Sequence, residues 1–265
     1  MKKNMTIMLV LLMILSLLLG GCTGEGQGAN NTSPAGGNLQ QNQGMPQNSA
    51  GEVIRDLSIK VKNAYEGPAE TDTVEETSAL LDADWNTDLK DMVKVSGVII
   101  EGTVKNVTYV PHDDMAFTKL DVLVVDSIKG DLKAGDLISV YVYGGYIPFK
   151  VFYEYNKAHF EETDLSEEDM EKMVMKKTFD NEELHKEGKR SLFMLIPVTD
   201  DPGEEIAPVG SYWRTCEKYS EYEIVTGSTT KNGEQLYQRE APDTKDSGVL
   251  TAEPITKETI RNLLK

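Results

Sequence analysis

Basic residues, histidine and cysteine are all scarce in this chain. Lysine and arginine number 27 against 44 aspartates and glutamates, a formal net charge of −17. So acidic a surface repels nucleic acid and anionic lipid headgroups, and it favours cations or basic partners. The three histidines, His112, His159 and His185, lie far apart in sequence, and none adjoins a cysteine that it could activate. Phosphate-loop, His-Glu-x-x-His and Gly-x-Ser-x-Gly signatures are all missing. Ser228 and Lys231 fit Ser-x-x-Lys, but its companion motifs are missing and the pair sits in a Gly-bounded turn. No unit of 20–50 residues recurs, which excludes a repeat array. No cofactor is expected, because no cofactor motif is present.

Long apolar runs are lacking except at the start. Met5 to Leu19 is broken only by Thr6 and Ser16, and Lys2 and Lys3 precede it. The run is shorter than the about 20 apolar residues of a membrane span. Gly20-Gly21 then end it, which completes the three zones of a secretory signal. The sequence Leu19-Gly20-Gly21-Cys22 resembles the lipobox of bacterial lipoproteins. That resemblance implies diacylglyceryl transfer to the Cys22 thiol and cleavage just before it. The mature chain is then expected on the extracytoplasmic face of the cell membrane, with the membrane itself as a partner through the N-terminal lipid. Two or three acyl chains exceed the two-signal threshold for stable residence. Cleavage removes Lys2 and Lys3, taking the charge from −17 to −19. Cys216 becomes the last thiol, so neither an intrachain disulfide nor a cysteine-based zinc site can form. Beside Tyr212 and Trp213 it reads as a small core residue.

The chain divides into a signal over 1–21, lipidated Cys22 with a Gly/Asn/Gln linker to residue 50, an acidic lead-in over 51–85, and a domain over 86–265. The linker composition is that of a flexible leash. Residues 52–65 fit a strand or a short helix equally. Thr73-x-x-Glu76 predicts a helix start by its capping box. Leu89, Met92 and Val93 predict a short helix over about 86–95. Three strands follow as an antiparallel meander. Val98–Val110 carries Ile100, Gly102 and Val104 on one face, with a bulge near Asn106. The second strand holds Leu120, Val122 and Val124; the third holds Ile138, Val140 and Val142 and ends at Gly144-Gly145. Turns are predicted at 111–114 and 129–136. Residues 147–187 read as an insertion with a helix capped by Ser166 and Asp169, its stripe formed by Met170, Met173 and Val174. Leu192–Val198 is nearly all apolar, hence a central strand. Tyr219–Val225 and Glu234–Arg239 read as strands about a Gly227–Gly233 turn. A last helix is capped by Thr256, with Ile260, Leu263 and Leu264 inward.

Val95–Val104, Ile128-Lys129-Gly130-Asp131, Tyr143-Gly144-Gly145 and the charged turn leading into Leu192-Phe193-Met194-Leu195 together resemble a group of largely uncharacterised extracytoplasmic bacterial domains. The resemblance spans about 86–265. It implies a mainly β fold with short helices: an OB-like five-stranded antiparallel Greek-key barrel with a helical insertion and a C-terminal helix. In shape such a domain is similar to the inhibitory domain of tissue inhibitors of metalloproteinases. That inhibition does not carry over, since it needs a free N-terminal cysteine amine and Cys22 is acylated.

The favoured binding surface is aromatic. Tyr141, Tyr143, Tyr146, Phe149, Phe152, Tyr153 and Tyr155 fall within 15 residues. Tyrosine suits sugar stacking or a protein interface, although the same rings could plug the barrel end or anchor the insertion. Asp113 and Asp114, and Asp200 and Asp201 with Glu204 and Glu205, are weak calcium candidates without EF-hand spacing. The expectation is a tethered binding or scaffolding module for a protein or cell-wall glycan. The alternatives are a surface hydrolase using paired carboxylates and a calcium-binding module.

Overall fold

The computed structural model describes residues 54–61, 63–79, 87–159, 165–179, 182–199, 206–239 and 253–265. The expected signal, Cys22, the linker, and the calcium candidates Asp200 and Asp201 with Glu204 and Glu205 lie outside these residues. Among the described residues, no helix is long and apolar enough to cross a membrane. The chain lays down two strands, β1 (Arg55–Asp56) and β2 (Thr73–Ala79), and then helix α1 (Leu89–Val95). Asp88 caps α1, its carboxylate accepting from the Lys90 and Asp91 amides at 2.9 and 3.2 Å. The meander follows as β3 (Val98–His112), β4 (Met115–Lys129) and β5 (Asp136–Tyr143). Its first turn is tighter than expected. Pro111 and His112 stay paired with Ala116 and Met115, leaving Asp113 and Asp114 as the turn, with Asp113 at φ 54°. The bulge falls where the pattern slips, with Lys105 skipped between Val104 and Asn106.

The fold is mainly β, and five strands close into an OB-like barrel. With β8 (Arg190–Pro197) and β9 (Tyr212–Lys218), the ring runs β3-β4-β5-β9-β8 and back to β3. In order of appearance the barrel strands thus sit first, second, third, fifth, fourth, a Greek-key path. The expected all-antiparallel barrel is corrected at one seam, because β5 and β9 run parallel. Strand direction cannot alternate all the way round a ring of five. At least one neighbouring pair must match.

Val98, Ile100, Val104, Leu120, Val122, Val140 and Phe193 fill the barrel interior. Fully burying each such side chain contributes about 1.5–3 kcal/mol. Gly102 faces this interior so closely that a Cβ would lie 2.4 Å from Val122 Cγ1. Outside the barrel wall, Ile99, Leu192 and Met194 meet Met92 and Val93 of α1 and Ile260 of α4 (Lys257–Leu263). Strand β8 is therefore apolar on both faces because it is covered on both. Helix α4 has the expected Thr256 cap, formed as a box with Thr259. Only Ile260 turns inward, however; Leu263 and Leu264 are 38% and 39% exposed. Strands β10 (Glu221–Thr229) and β11 (Gln235–Gln238) continue the sheet beyond β8.

The insertion contains β6 (Gly145–Pro148), α2 (Phe149–Asn156), α3 (Glu167–Glu171) and β7 (Met173–Phe179). Ser166 and Asp169 form the capping box of α3, but the helix stops at Glu171, and Met173 and Val174 belong to β7. Thr73–Glu76 starts no helix. It opens β2, which pairs in parallel with all of β7. The β-branched Thr73, Val74 and Thr77 suit a pleated strand, and long-range pairing overrides the local capping signature. The acidic lead-in is thus stitched to the domain, by β2 on β7 and by β1 on β5.

Candidate functional site

The seven rings of residues 141–155 do not share one surface. Tyr141 is fully buried in the barrel wall, and burial pushes its hydroxyl well above the usual tyrosine range. Tyr143 packs with Phe117, Phe179 and Trp213, ring centroids 5.3–5.6 Å apart, at one end of the barrel. Tyr146 meets the edge of Tyr109 at 4.9 Å. Phe149, Phe152 and Tyr153 join Ile147, Met173 and Met175 in the insertion's own core. Tyr155 alone of the seven is exposed, at 57%.

The turn at Asp113 and Asp114 faces a cation already. Lys177 Nζ donates to the Asp114 carbonyl and stands over the Phe152 ring, 4.9 Å from its centroid. Burial pushes this ammonium below its ordinary range, the Asp114 carboxylate only partly opposing.

A second cluster was not anticipated from the sequence. It joins the segment before β8 to the β9–β10 hairpin. Arg214 in β9 has a fully buried side chain. Both of its terminal nitrogens donate to Glu182, one at 2.7 Å, and they reach Glu221 at 3.3 Å and Glu217 at 3.4 Å. Glu217 sits at φ 44°, where the chain turns sharply, and its carbonyl accepts from the Ser220 amide at 3.0 Å. Glu221, the first residue of β10, has its carboxylate 2.7 Å from His185 Nε2 and 3.1 Å from Lys189 Nζ. Burial works against the Glu221 charge, but His185, Lys189 and Arg214 outweigh it and hold the carboxyl well below its usual range. Burial likewise opposes the Lys189 charge, and Glu221 and Glu223 raise it above the ordinary lysine range.

Glu182, His185 and Glu221 bring one ligand atom each within 4.8 Å of the others, the spacing of a metal cage. The donor set does not fit a metal as built. Both Glu182 oxygens already face the guanidinium, and the Glu221 oxygen nearest His185 is shared with it. A dication there would sit beside a buried, permanently charged arginine. The arrangement is a closed ion network, with Arg214 in the role a metal would otherwise play.

Three members of this network, Glu182, Lys189 and Glu221, line a cleft of about 610 Å³. Glu223, Ile224 and Val225 of β10, Gln238 at the end of β11, and Arg239 line it as well. The cleft therefore offers fixed charges of both signs and a short apolar strip. Segments 182–190 and 217–223 carry no local motif that marks a site in the sequence. The available signal was Arg214, a charge between Trp213 and Cys216 in a strand otherwise suited to burial.

No family model, no curated protein and no solved structure matches this chain.

Proposed function

We propose that the chain is a membrane-tethered extracytoplasmic lipoprotein whose barrel serves as a binding module, holding a polar, charge-bearing ligand in the cleft above Arg214 and Glu221. The tether rests on the lipobox-like Leu19–Cys22 and the apolar run before it. One observation carries the binding reading: two of the three carboxylates that enclose a fully buried arginine, Glu182 and Glu221, line a solvent-facing cleft. Apolar side chains of equal volume in place of a buried ion network are often neutral or stabilising. Stability alone thus gives little reason for its presence. A rigid polar floor in a concave site gives a reason, because ligand groups meet partners already oriented.

The carboxylate hydrolase draws less support. Its general acid needs a carboxyl shifted upward, whereas Asp126, Asp136 and Glu221 are all shifted downward by cationic partners. The test is photo-crosslinking in cells from a reactive amino acid at Glu223 or Val225 of the tethered protein, with Tyr155 as comparator. A recurrent protein or wall-glycan adduct from the two cleft positions, missing at Tyr155, is the expected result. Adducts from Tyr155 alone would move the contact to the insertion and overturn the cleft assignment.

A further inference from the structure

We propose that the outer edge of β2 takes up an extended, basic polypeptide as an added strand. The inference is independent of the cleft and of the lipid. Strand β2 is the edge of the three-stranded sheet β2-β7-β6, and no strand among the described residues lies along its far side. The Thr73 amide donates to the Lys172 carbonyl at 2.8 Å, so the Thr73 backbone points toward β7. In a parallel pair the direction alternates, which turns the amides of Val74 and Glu76 outward. The pairing with β7 runs over seven residues without a register shift. Natural edges are usually blunted by charged side chains, proline, a bulge or brevity; β2 has no proline, bulge or brevity, and its charges, Glu75 and Glu76, are all acidic.

Charge selects the occupant. Residues 64–79 hold Glu66, Glu70, Asp72, Glu75 and Glu76 and not one base. Only Lys176 answers from β7, pairing with Glu76 at 2.9 Å. Helix α3, which leads directly into β7, holds Glu167, Glu168 and Glu171 next to the start of β2, but these are partly answered by Lys150 and Lys172, so the excess acid lies in residues 64–79. A second copy of this chain would set acid against acid across the new pair, which is destabilising, whereas lysines or arginines there gain cross-strand pairing. Strand addition would draw affinity from backbone hydrogen bonds and selectivity from these side chains.

The probe is a capped, fluorescent eight-residue peptide of alternating lysine and valine, titrated by anisotropy against the full-length chain in detergent. It should bind, an alternating glutamate–valine peptide should not, and high salt should weaken the complex. Val74→Pro removes an outward amide without touching the bonds to β7 or any charge, and should weaken binding about tenfold. Methylating alternate amide nitrogens of the peptide should do the same with the protein unaltered, which keeps the test valid should the proline variant fail to fold. Undiminished binding of the methylated peptide would reduce the edge to a diffuse acidic patch and overturn the proposal. Concentration-dependent dimers abolished by Val74→Pro would overturn it in favour of a second copy.

Discussion

Arg214 answers three carboxylates at once, so its loss leaves Glu182, Glu217 and Glu221 near one another without the charge they share, with Lys189 and His185 still beside Glu221. Arg214→Met keeps much of the side-chain volume and removes the charge. It should cost about 3–5 kcal/mol, the range for breaking a buried pair by deleting one partner. Urea denaturation at neutral pH measures this, and a loss under about 1 kcal/mol would show the network relaxing into solvent. Glu221 adds a pH dependence. A glutamate in the unfolded chain titrates near 4.5, and the folded carboxyl lies well below that. The unfolded chain therefore takes up the proton first as pH falls. The Glu221 contribution is complete above about pH 4.5 and drains away below it, down through the folded value. Urea midpoints from about pH 6 to about pH 3 should fall more steeply for the native chain than for Glu221→Gln, the gap between the two narrowing below about pH 4.5. Parallel curves would place the acid sensitivity elsewhere.

The barrel's parallel seam is short at the scale of elements: β5 and β9 pair only at Val140–Tyr212 and Tyr141–Trp213. Strand β1 extends that seam, occupying the same edge of β5 at Asp136 and Leu137. The Arg55 guanidinium clasps Asp136 with two hydrogen bonds, and Ser139 Oγ accepts from the Ile59 amide at 2.9 Å. Removing residues 51–63 should loosen the seam, seen as faster hydrogen exchange at the β5 and β9 amides than at those of β3 and β4. Uniform exchange would make β1 a passive appendage. Much of this layer was legible in the sequence. Alternation placed β3 to β5, the slip at Asn106 marked the bulge, and Ser166 and Thr256 announced α3 and α4. These signals are local, set by residues within a turn or two. What escaped was set by distant partners. Thr73–Glu76 reads as a helix cap until β7 lies beside it, and Glu182, Arg214 and Glu221 share no local motif and come together only when three segments meet. The parallel seam is a matter of counting, since closure on five strands requires it whatever the side chains are.

Across the whole molecule, charge and anchor work against each other. Under the proposed tether, a mature chain near −19 would be repelled by anionic headgroups, and its residence at a membrane would depend on lipid at Cys22. By composition, the 28 residues 23–50 are expected to span a root-mean-square distance of roughly 30 Å, which would let the tethered domain stand clear of that repulsion. Cys22→Ser removes the thiol that would take the lipid, and with it the modified residue that precedes cleavage. In cells fed radiolabelled palmitate, the native chain should be labelled and the Cys22→Ser chain should not. Intact mass should show the native chain starting at a lipid-modified Cys22 and the variant retaining residues 1–21. Membrane fractionation alone would mislead, because the uncut apolar run of the variant can itself hold to the bilayer. Label persisting in the variant, or a native chain cut elsewhere and carrying no lipid, would remove the tether and leave a freely exported acidic barrel.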